Sequence, residues 1–67
     1  MTPTELKATR LRLGLTAEDF AQMVGVESGR TVRRWEAGDR AIPNSVRMIL
    51  WLAQESAHVR ALLGITL

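Results

Sequence analysis

The chain has 67 residues, nine basic against seven acidic side chains and no cysteine, so its formal charge is only +2. That length allows one domain whose single core supplies about 3 to 5 kcal/mol, and the missing thiols exclude a disulfide framework and a thiolate metal site, while His58 cannot hold zinc alone. No apolar run approaches the roughly 18 residues of a membrane span, and with no second histidine and no paired acids in an evident cleft the chain lacks the parts of a catalytic site.

The elements follow in order. Thr2, Pro3, Thr4 and Glu5 form a helix start, with Thr2 as the N-cap, proline at the first helical position and Glu5 reaching back to the cap. The first helix is expected from Pro3 to about Leu13, with Leu6 and Leu13 on one face and Arg10 between them. Gly14 ends it in the left-handed conformation that glycine tolerates. Thr16 and Asp19 repeat the capping pattern for a second, short helix that buries Phe20, Ala21, Met23 and Val24 and stops at Gly25.

A third helix opens near Ser28, whose hydroxyl is expected to cap it, and closes at Gly38. The connector D-R-A-I-P leads to a fourth helix from Pro43 and Asn44 to about Ser56 or Ala57. Val46, Ile49, Leu50 and Ala53 are its inward stripe, and Met48, Trp51 and Leu52 form a second apolar stripe on its flank. A short helix through Leu63 and the apolar tail to Leu67 complete an all-α bundle of four to five short helices. No strand pattern, repeat or second domain is present, and the expectation is a soluble, cytoplasmic, unprocessed protein without cofactor or metal.

The third helix carries the most chemistry. In S-G-R-T-V-R-R-W-E-A-G (Ser28 to Gly38), Val32 and Trp35 lie on one helical stripe, and Arg30, Arg33 and Arg34 lie three and four residues apart on another. Like charges at that spacing repel, and a polyanion turns the repulsion into attraction. Eight of the nine cations are arginine, Lys7 being the exception, and arginine is the better fork for phosphate oxygens and guanine edges. A solvated arginine face is the plain alternative.

Leu15 to Pro43, L-T-A-E-D-F-A-Q-M-V-G-V-E-S-G-R-T-V-R-R-W-E-A-G-D-R-A-I-P, resembles the Cro and phage-repressor (XRE-like) helix-turn-helix family. Its markers are L-T before helix 2, Phe20-Ala21, Gly25-Val26 and T-V-x-x-W-E-x-G. The resemblance implies a lambda-repressor-like fold and a sequence-specific regulator, a repressor or autorepressor, that binds palindromic double-stranded DNA as a homodimer. It places Gly29, Arg30, Thr31 and Arg34 at the base-facing positions, with Arg33 beside them for a base or a phosphate. It also pairs Arg10 with Glu36 in a partly buried salt bridge that presents the arginine to a phosphate; otherwise Arg10 snorkels to water and Glu36 faces solvent. Eight residues separate Val26 from Trp35 where the family commonly has seven, which lengthens the turn near Glu27 to Gly29.

Further phosphate candidates are Arg40 in the connector, Arg12 on helix 1, and Thr16 with the backbone N–H groups opening helix 2; for Arg12 and Arg40 an ordinary surface role is equally open. Met48, Trp51, Leu52 and Leu67 are the expected dimer interface, the alternative being that Trp51 packs inward against helix 5 and the tail. A competing function is an antitoxin-like protein-interaction module that binds a partner protein through helix 4 and the tail. RNA or non-specific binding is disfavoured by the lack of exposed aromatics for stacking.

Overall fold

The computed structural model describes residues 1–65. Five helices succeed one another: α1 (Pro3–Arg12), α2 (Ala17–Val24), α3 (Gly29–Glu36), α4 (Asn44–Glu55) and α5 (Ala57–Leu62). No strand occurs among the described residues, and the molecule measures 32 × 20 × 19 Å. The all-α expectation holds, with boundaries shifted by a residue or two where each last turn tightens.

The centre takes one large side chain from each of the first four helices: Leu6, Phe20, Val32 and Leu50 are the fully buried ones. Leu13, Ala17, Ala21, Trp35, Ile42, Val46, Ala53 and Ile65 surround them. Each of these positions was legible from apolar spacing except Ala17, Ile42 and Ile65, which come from the start of α2, the connector and the chain after α5. Ile49, Met23 and Val24, expected to be inward, are only half-buried. The helix α5 buries no residue of its own. It is anchored by Ile65 and Leu63 beyond it, and by Arg60, whose Nη1 donates to the carbonyls of Ala53 (2.8 Å) and Gln54 (3.2 Å). Arg60 therefore caps α4 at its negative end, a favourable place for a cation.

At the other end of the chain the reciprocal cap forms. The Thr2 N–H donates to Glu5 Oε1 at 2.9 Å and the Glu5 N–H to Thr2 Oγ1 at 3.1 Å. Hydrogen bonding from the Thr2 backbone first, and from its side chain second, holds the Glu5 carboxyl below its ordinary pKa of 4.5. A carboxyl lowered in the folded state adds stability above its unfolded pKa and loses it as pH falls through the folded one. Thr2→Ala should lower unfolding stability by about 0.5 to 2 kcal/mol, whereas Glu5→Gln, which removes the titrating group, should flatten the acid limb of the stability curve below pH 4.5, both measurable by urea denaturation across pH.

Candidate nucleic-acid interface

The α2–turn–α3 unit is set by local chemistry. Thr16 caps α2 by accepting the Asp19 N–H at 3.0 Å. Gly25 closes α2 at φ 79, a left-handed conformation that side chains disfavour, and the Val26 N–H returns to the Ala21 carbonyl at 2.9 Å. Ser28 is the residue before α3, as expected, but its hydroxyl makes no capping bond; its backbone is extended and only its carbonyl is used, by the Thr31 N–H at 3.2 Å. Beside that opening turn sits the Glu18 carboxylate of α2, an anion where a helix dipole favours one.

Gly29 explains the close packing of the two helices. It is buried, and a Cβ there would overlap the Glu18 carboxylate and stand 2.9 Å from the Glu18 backbone nitrogen. Expected among the base-facing positions, it is instead a packing residue against α2 with no side chain to offer. Val32 and Trp35 face the core, while Arg30 and Arg33 are exposed and Arg34 is half-buried. Thr31 is half-buried at the edge between them.

The three arginines differ in their surroundings. Arg33 Nη2 donates to Glu18 Oε2 at 2.7 Å, in an exposed pair whose side chains retain 59 and 61% of their accessible surface. Arg30 and Arg34 make no side-chain hydrogen bond among the described residues, and neither does Arg40, which is exposed in the connector. Arg33 also borders a groove of about 430 Å³ that it shares with Arg10, Leu15, Thr16, Ala17 and Glu18. The groove thus brings two guanidinium groups to the opening of α2.

Arg10 is one of the two buried polar residues among the described residues. Its Nε donates to Glu36 Oε2 at 2.7 Å, its Nη2 to Glu36 Oε1 at 3.1 Å and its Nη1 to the Leu15 carbonyl at 2.9 Å. The pair joins α1 to the last turn of α3 across 26 residues of sequence, and it does so in the two-pronged geometry that fits guanidinium to carboxylate. Arg12 has a different fate. Its Nη2 donates to Gln54 Oε1 at 2.9 Å, so it ties α1 to the end of α4 instead of flanking α3.

On α4, Met48 and Trp51 stand 62 and 60% exposed, with Leu52 at 37% and Leu62 of α5 at 73%. Trp51 therefore does not pack inward. Leu67, expected to join this face, lies outside the described residues. No group of His, Asp and Glu among the described residues is placed to hold a metal ion, and no described helix is long and apolar enough to cross a membrane.

A short helix buried on one side, cationic on the other and held by a tight turn against a preceding helix is the architecture of a helix-turn-helix DNA-binding protein. The helix-turn-helix family model matches residues 6–52. The chain belongs to that family, in its Cro and phage-repressor branch, and is a DNA-binding helix-turn-helix regulator. No curated protein and no solved structure matches it.

Proposed function

We propose that the protein is a repressor that binds a palindromic operator as a homodimer, with α3 in the major groove of each half-site. The observation that supports this reading is the pair Arg30 and Arg34, one helical turn apart on α3, Arg30 exposed and Arg34 half-buried, neither side chain hydrogen-bonded among the described residues. A guanidinium fork suits guanine edges. Thr31 lies beside the two arginines, and Arg33, Arg40, Arg10 and Thr16 serve phosphates on either side. Arg12 drops out of that set, because Gln54 holds it at the far end of α4.

Size supports the homodimer. A body 32 × 20 × 19 Å with one reading helix spans one half-site, whereas half-sites in such operators are about 34 Å apart. Two copies are needed, and Met48, Trp51 and Leu52 give an apolar face of the kind that anchors an interface. Blocking a promoter requires nothing more than this occupancy.

Selection of bound duplexes from a random library tests the reading. The recovered sites should be two-fold symmetric, with guanines at equivalent positions in both halves; a set without symmetry or consensus would refute it. Trp51→Glu should leave the fold intact, shift sedimentation at micromolar concentration from dimer to monomer, and abolish binding to the symmetric site. A wild-type protein that sediments as monomer while still binding that site would remove the dimer and leave the α4 face to a partner protein.

A further inference from the structure

We infer that Glu18 is an internal competitor for Arg33, holding DNA affinity down until a backbone phosphate displaces it. The inference rests on the DNA-binding reading above and goes beyond it, because it gives an acidic residue of α2 a role in setting affinity.

Three observations meet at this contact. Arg33 belongs to the cationic side of α3, yet it is the arginine of that helix already engaged, through the 2.7 Å bond from Nη2 to Glu18 Oε2. The pair is more than half exposed on both sides, so it adds little to folding stability and is open to exchange with an ion from solution. It also lies at the mouth of the groove that Arg10, Thr16 and the first residues of α2 share with Arg33. A phosphate entering that groove meets Arg33 and the Glu18 carboxylate at once.

Two consequences follow from electrostatics. A phosphate that takes Arg33 must break the existing pair and then tolerate the released carboxylate beside it, so part of the attraction is cancelled. The brake acts on the DNA backbone, which is the same in every sequence, so it lowers affinity for operator and random duplex alike. The Glu18 carboxylate lies over Gly29, and the absence of a side chain there leaves it room beside Arg33.

The test uses the whole chain and a fluorescent random-sequence duplex, so it needs no knowledge of the operator. Glu18→Gln keeps the shape and removes the charge. It should tighten binding about three- to ten-fold at low salt, and steepen the plot of log Kd against log KCl by about one unit, the signature of one more phosphate neutralised. In an Arg33→Gln background the same change should give no gain. Glu55→Gln on α4, which alters net charge equally, should give none either.

An equal gain from Glu18→Gln with and without Arg33, an equal gain from Glu55→Gln, or no gain at all would overturn the inference. If neither the wild type nor Glu18→Gln bound any duplex while both retained their helical circular dichroism, the DNA-binding reading itself would fall, a result distinct from the others.

Discussion

Glu36→Ala should leave the domain close to its unfolding midpoint at ambient temperature. Removing the carboxylate leaves Arg10 buried, with two of its three hydrogen bonds gone, and breaking a buried ion pair from one side costs about 3 to 5 kcal/mol. A single-core domain of this length has about 3 to 5 kcal/mol in total, so the loss consumes nearly all of it. Arg10→Met with Glu36→Leu replaces both charges by apolar groups of similar bulk and should be neutral or more stable by about 1 to 4 kcal/mol. Urea melts of the single and double variants measure both effects. A Glu36→Ala protein as stable as the wild type would show that the pair adds nothing to folding. By contrast the Glu18–Arg33 pair, of the same length, is exposed, and its loss should barely move the melt.

Arg30→Ala and Arg34→Ala should each cut affinity for the selected operator about ten- to one-hundred-fold, corresponding to the roughly 1 to 3 kcal/mol of a two-pronged arginine–guanine contact. Binding to random duplex should fall far less, so the specificity ratio collapses, and the preference for guanine should vanish at one position per half-site. Competition titrations at fixed salt separate these outcomes. Equal loss on operator and random DNA would make the residue a phosphate contact instead. Neither side chain belongs to the buried core or is hydrogen-bonded among the described residues, so both variants should melt close to the wild type.

Much of this fold is written locally in the chain. The Thr2–Glu5 and Thr16–Asp19 bonds each span three residues, and apolar spacing alone marks Leu6, Phe20, Val32, Trp35 and Leu50 for the core. The Arg10–Glu36 partnership is different: nothing in composition pairs residues 26 apart, and only likeness to other helix-turn-helix chains suggested it. The bonds from Arg12 to Gln54 and from Arg60 to Ala53 had no such guide, because either arginine reads as surface until the helices are assembled.

Gly29 shows how a site can be misread from sequence. The family resemblance puts it on the reading edge, but its packing against Glu18 depends on how α2 and α3 meet. Glu18 itself reads as an acid suited to a helix start, which it is. Its second contact, with Arg33, needed the neighbouring helix in place. A faint signal existed: the arginine stripe and the acids opening α2 lie on consecutive helices joined by a tight turn, and such helices pack side by side.

The two ends of the bundle have unequal standing. The helix α5 rests on α4 through one arginine and the anchors beyond it, and it puts none of its own side chains into the core. Its six residues should therefore open at a lower free energy than the whole domain, a difference that amide exchange measures. The anchors of α5, Leu63 and Ile65, border Asp19, Gln22 and Met23 of α2, so such opening would loosen one flank of the helix that precedes the reading helix.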